Sequence, residues 1–191
     1  MRNDKRKDVL PMNSSRNDSL LRLVYAAVCL ALCMVLPFIT GHIPQVGQFL
    51  SPMHIPVLLA GFLCGPWWAL AVGFIAPILR HLLFQFPPYP TFVAMAFELA
   101  VYGVVCGLLY RRLPKKTSNI YVSLIVAMIA GRIVSGIANV VLYGLGAKEG
   151  TYTLSMFLAG HFLNAWPGIV LHIVLIPAIV IALQRAKIIK T

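Results

Sequence analysis

Long apolar runs limit what this chain can become more than any motif does. They fall at Leu20–Ile39, Phe49–Cys64, Pro66–Phe86, Phe92–Tyr110, Ile120–Leu145 and Leu154–Leu183. A helix needs about 20 residues to cross the hydrocarbon of a bilayer, and every run but the second meets that length. The Phe49–Cys64 run is short and interrupted by Pro52 and Pro56. Runs this long and continuously apolar read as helices, because hydrocarbon leaves backbone groups to satisfy one another within the segment. Composition agrees: 60% of the 191 residues are hydrophobic and 11% are charged. The expected fold class is an all-α, polytopic membrane protein.

The positive charges set the expected topology. The formal net charge is +11, and of the 16 Lys and Arg, six lie at or before Arg22, four in Arg111–Lys116 and three in Arg185–Lys190. Short loops rich in Lys and Arg stay in the cytoplasm. A bundle of six transmembrane helices with both termini cytoplasmic puts all three clusters inside; five crossings would put Arg111–Lys116 outside. Six spans are therefore expected, with Gln45 and Lys148 on the far side. Residues 1–19 then form a disordered cytoplasmic tail, 20–185 the membrane-embedded binding domain and 186–191 a second tail. The tail before the first run is too long and polar for a secretory signal. No basic cluster is interleaved with exposed aromatics, so nucleic acid is excluded as a partner.

The second span is expected to be partly unwound at its outer end, where Gln45, Gln48, Ser51 and His54 accompany the two prolines. Irregular backbone at membrane depth is tolerated where it lines a cavity or is buried in protein. The Gly65–Pro66 pair predicts a tight inner turn, and Pro77, Pro167 and Pro177 predict kinks.

Arg80, Glu98 and Arg132 are the charged residues expected at membrane depth. Charge at membrane depth is costly, so such groups face a cavity, pair with one another and mark a substrate or ion path. The expected topology puts Arg80, Glu98, Asn139, His161 and Asn164 in the outer half of four different spans, with Arg132 near the middle. Blander roles stand beside the functional ones. Arg80 either faces a cavity or snorkels to the outer headgroups. Glu98 either meets a ligand or pairs with an arginine as internal glue. Asn139 and Asn164 either hold a ligand or bond between helices, and His161 shares their choice. His172 reads as a lone core histidine, and His42 and His54 as lone loop histidines. Phe86, Tyr89 and Phe92 are belt residues or a lid, and Trp67 and Trp68 an inner aromatic belt.

Cys29, Cys33, Cys64 and Cys106 all lie in apolar runs and lack the spacing and histidine partners of a metal site, so no metal or other cofactor is expected. On the first span, Ala26, Ala27 and Ala31 form a small-residue surface that another helix could approach closely. No inverted repeat is visible, and the chain is small for a transporter working alone.

With these residues in view, the chain resembles the S-components of energy-coupling factor (ECF) transporters, the vitamin-binding membrane subunits of bacterial importers. The likeness runs from about Leu20 to Leu183. It rests on the six-span layout, the Ala27-x-x-x-Ala31 pair, and the stretches Met53–Phe84, Ala94–Leu113 and Ala130–Leu145. The resemblance implies a six-helix bundle in the cell membrane with a vitamin held near the extracellular face under the loop between the first two spans. It implies as partners a coupling membrane subunit, docked on the face carrying Ala27 and Ala31, and two ATPase subunits. The S-component topples in the membrane to deliver its vitamin while ATP is hydrolysed elsewhere. The absence of a G-x-x-x-x-G-K-[ST] loop fits that division of labour. The likeness is nearest the pantothenate, folate and pyridoxine carriers, and two arginines against one carboxylate favour an acid such as pantothenate. Substrate contact is expected at Arg80, Glu98, Arg132, Asn139, His161 and Asn164.

Three rival classes compete. A stand-alone proton-coupled transporter would use Glu98 as carrier. An intramembrane enzyme would need a nucleophile with a base, such as Ser135 with His161 or His172, or H-E-x-x-H, which is absent. A membrane scaffold would need no positive cavity.

Overall fold

The computed structural model describes residues 14–39, 49–148 and 150–189. Those residues form helices and no strand. The order is α1 (Ser14–Ile39), α2 (His54–Leu63), α3 (Pro66–Phe84), α4 (Thr91–Arg112), α5 (Thr117–Gly144), α6 (Leu154–Leu158), a π-helical turn (Ala159–Leu163) and α7 (Trp166–Arg185). Among the described residues five helices are long and apolar enough to cross a membrane: α1, α3, α4, α5 and α7.

The second apolar run behaves differently from a full span. Its helix, α2, has 10 residues, about 15 Å of rise at 1.5 Å per residue, roughly half a bilayer. It begins beside Glu98, where His54 Nε2 lies 3.6 Å from Oε1. It ends at Cys64, whose carbonyl accepts from Arg111 Nη2 at 3.3 Å. Nine of its residues are buried, and α1, α3, α4 and α7 pack around it. Pro56 sits in its first turn, where no N–H is needed. Just before it, Ser51 takes a left-handed φ of 44°, a region a residue other than glycine seldom occupies. Gln45, Gln48 and His42 lie outside the described residues.

The sixth run is also interrupted. α6 stops after 5 residues, the backbone passes through the π turn at Ala159–Leu163, and α7 restarts at Trp166. Pro167 therefore opens α7, where its ring suits the first turn, instead of kinking the middle of a span. Pro77 and Pro177 do lie inside helices, in α3 and α7.

Small residues hold the centre together. α3 and α4 run antiparallel with backbones in near contact. A Cβ added at Gly73 would strike the Leu99 carbonyl, and one at Gly103 would strike that of Ala69. Gly103 and Gly107 are spaced as in the small-xxx-small pattern of helices that pack in lipid, where close van der Waals contact supplies association that hydrophobicity cannot.

Cations collect at one end of the bundle. Arg111 and Arg112 close α4, Lys115 and Lys116 follow it, and Arg185 closes α7. Gln184 Nε2 donates to Tyr110 Oη at 2.7 Å across that end. Trp67, 72% exposed, stands on the outer surface there, as an interfacial anchor does. On α1, Ala27 and Ala31 are exposed while Ala26 is buried. The expected three-alanine surface is thus a two-alanine one, with Ala26 turned into the bundle.

Candidate functional site

A cavity of about 580 Å³ opens at the end of the bundle opposite the cations, a size typical of small-molecule sites. All six residues expected at a substrate site line it: Arg80 from α3, Glu98 from α4, Arg132 and Asn139 from α5, His161 from the π turn and Asn164 at its end. The α2 N-terminus contributes Ser51 to His54, and the loop after α3 contributes Phe86 to Pro88.

Arg132 is the most consequential group. It is 6% exposed, and its guanidinium stands 5.6 Å from the Phe162 ring centroid. Among the described residues it has no ion pair and no hydrogen bond. A buried cation without a partner is costly, and a cation over an aromatic face recovers only part of that cost.

Arg80 is differently placed. It is 1% exposed, so it does not snorkel to the headgroups. Its Nη1 donates to the Met34 carbonyl at 2.6 Å, and its Cζ lies 5.2 Å from the ring centroids of both Phe38 and Phe84. It ties the ends of α1 and α3 together while presenting part of its surface to the cavity.

Glu98 pairs with neither arginine. Its Oε1 accepts from Tyr102 Oη at 2.9 Å and faces His54 Nε2 at 3.6 Å. His54 in turn stacks on His172, centroids 5.9 Å apart, and meets the Tyr102 ring edge-on at 5.3 Å. His54 is therefore the first residue of a buried helix, not a lone loop histidine. His172, expected to be alone, is its stacking neighbour. Both follow from α2 starting at the depth of Glu98, which run length alone does not reveal.

Asn139 spends one amide hydrogen on the Ser135 carbonyl of its own helix, at 2.9 Å, and still lines the cavity. His161 and Asn164 reach the cavity through the π turn, a local distortion common at functional sites. The His161 Nε2 and Tyr152 Oη atoms are buried with no hydrogen-bond partner among the described residues. Burial and the neighbouring Tyr143 push the Tyr152 hydroxyl pKa above the ordinary value.

The sequence reading missed His54, Tyr102, Tyr143, Lys148 and Tyr152. Lys148 Nζ stands 5.5 Å from the Tyr143 ring centroid at the cavity mouth, so three cations and one carboxylate line this space. The signal for Tyr102 was present, since it is four residues after Glu98 on one helix face. Phe86 lines the cavity, while Tyr89 is 61% exposed. His81 and Phe92 stack at 4.2 Å, and His81 Nδ1 donates to the Pro87 carbonyl at 2.7 Å, bracing the loop.

Among the described residues no group of three His, Cys, Asp or Glu could hold a metal ion. The arrangement suits binding: a buried unpaired cation, a carboxylate and several orphaned polar atoms converge on one space. No curated protein matches the chain. The family model described as ECF transporter, substrate-specific component, matches residues 21–180. That match covers most of the chain, which therefore belongs to the substrate-specific component family of ECF transporters and is a transport subunit, not an enzyme.

Proposed function

We propose that this subunit captures a small carboxylate-bearing vitamin, with pantothenate the first choice, from the extracellular side of a bacterial cell membrane. The observation that carries the reading is Arg132, buried, facing the cavity and without a polar partner among the described residues. A carboxylate there completes a charge-assisted pair. Arg80 and Lys148 add positive potential, and Asn139 and Asn164 offer hydrogen bonds to amide or hydroxyl groups. The N-terminus of α2 supports the same sign of ligand. Interrupted helices in transporters aim their positive dipole ends at anionic substrate groups.

The cation-rich end of the bundle faces the cytoplasm in this reading, by the same charge bias that orients other membrane proteins. The cavity then opens outward. Family members work with a coupling membrane subunit and ATPases. Here the coupling subunit docks on the exposed face of α1 around Ala27 and Ala31, and two separate ATPase subunits supply the energy. A proton-coupled transporter acting alone would purify without ATPases.

Calorimetry on the detergent-solubilised protein tests the ligand assignment, with pantothenate and its alcohol analogue as paired probes. The acid binds at least 10-fold more tightly, the lower end for one charge-assisted bond. Equal affinity for acid and alcohol contradicts the assignment.

A further inference from the structure

Glu98 carries an open valence of its own. Both of its polar contacts, from Tyr102 Oη at 2.9 Å and His54 Nε2 at 3.6 Å, fall on Oε1. Oε2 has no partner among the described residues, the residue is 8% exposed, and it lines the cavity. No ion pair joins Glu98 to Arg132 or Arg80, although all three line the same space. A carboxylate oxygen cut off from water without gaining a donor is costly, so a guest that fills the cavity has to supply one.

We propose that Glu98 is the specificity-determining residue of this site and accepts a hydrogen bond from a hydroxyl of the ligand. The ligand class is then a hydroxy acid, with its carboxylate at Arg132 and a hydroxyl-bearing end at Glu98 Oε2. The inference rests on the acid-binding reading above but adds a second point of recognition. A hydroxyl is favoured over an ammonium by charge. Three cations already face one carboxylate, and His54 stands beside that carboxylate, so a cationic group on the ligand would add to the positive surplus. Tyr102 and His54 act through Glu98: by occupying Oε1 they fix the carboxylate plane and leave Oε2 turned to the guest. Sites that hydrogen-bond a substrate hydroxyl discriminate strongly against an analogue lacking it, because the buried acceptor is then stranded.

The test compares pantothenate with its analogue lacking the terminal hydroxyl, by calorimetry on wild type, Glu98→Gln, Glu98→Ala and Arg132→Ala. The wild type prefers the hydroxylated acid by about 10-fold or more, as expected for a hydrogen bond to a charged group. Glu98→Gln narrows the preference several-fold and Glu98→Ala abolishes it, because both variants bind the deoxy acid more tightly than the wild type once no carboxylate is stranded beside it. Retained deoxy binding shows that the variants are folded, and Glu98→Gln keeps the side-chain shape if Glu98→Ala does not fold. Arg132→Ala weakens both acids and keeps their ratio. A wild type that binds the two acids equally, or a Glu98→Gln variant with the full preference, overturns the assignment of Glu98 and leaves the Arg132 reading standing. A wild type that binds neither acid overturns both readings.

Discussion

The glycine-lined seam of α2, α3 and α4 at the centre of the bundle and the polar cavity at one end of it are built on opposite terms. In the seam, helices approach until backbone touches backbone, and Gly73 and Gly103 have no room for one added carbon. Around the cavity the chain is broken three times, at Ser51, at the π turn and at the Gln85–Pro90 loop, and side chains hold open valences. Gly144 and Gly160, near this end, meet nothing within 4 Å of an added Cβ. The contrast separates a part that fixes geometry from a part that keeps contacts in reserve. Helix packing without slack lets half-helix α2 hold its N-terminus, and His54, at the depth of Glu98.

The sharpest way to break that contrast is to add the same atoms to both regions. Gly103→Ala drives a methyl into the Ala69 carbonyl and costs about 3 kcal/mol, the upper end for overpacking, read as loss of monodisperse protein or a large fall in unfolding temperature. Gly144→Ala changes stability by no more than about 1 kcal/mol. Similar losses for the two would erase the distinction. Next in size is Arg132→Ala, which weakens an acidic ligand by about 10- to 150-fold, or 1.5–3 kcal/mol, with little change in unfolding temperature. Arg80→Ala behaves the other way. Arg80 bonds to Met34 and lies against the Phe38 and Phe84 rings, so its removal loosens α1 from α3, and unfolding temperature falls while affinity drops less than 10-fold. The smallest effect on the ligand is that of Ala27→Trp and Ala31→Trp. These outward positions leave affinity within about twofold, yet pull-down of the coupling subunit fails. A surviving pull-down places docking elsewhere.

The same division explains what could be read in the sequence. Apolar run length located α1, α3, α4, α5 and α7, because spanning hydrocarbon demands length whatever the packing. Depth then brought Arg80, Glu98, Asn139, His161 and Asn164 into the outer half with Arg132 near the middle, and all six line one cavity. Partnership was not legible. Of the two roles expected of Glu98, the pair with an arginine is not found; α2 starts beside it and supplies His54. The short second run signalled an irregular segment without showing where helix would resume. The π turn left no composition signal, since Ala159–Leu163 reads as ordinary apolar helix. Tyr143 reaches the cavity from the last turn of α5, and Lys148 and Tyr152 from the α5–α6 connection, whose path run length does not fix.

Native mass spectrometry of the purified protein tests the central claim most directly, because it asks the cavity what it holds. The account predicts a retained small molecule of the wild type whose fragments show a carboxylic acid, and its loss from Arg132→Ala under the same conditions. A retained molecule with no acidic group, or equal retention by the Arg132→Ala variant, contradicts the claim that an unpartnered arginine defines this site.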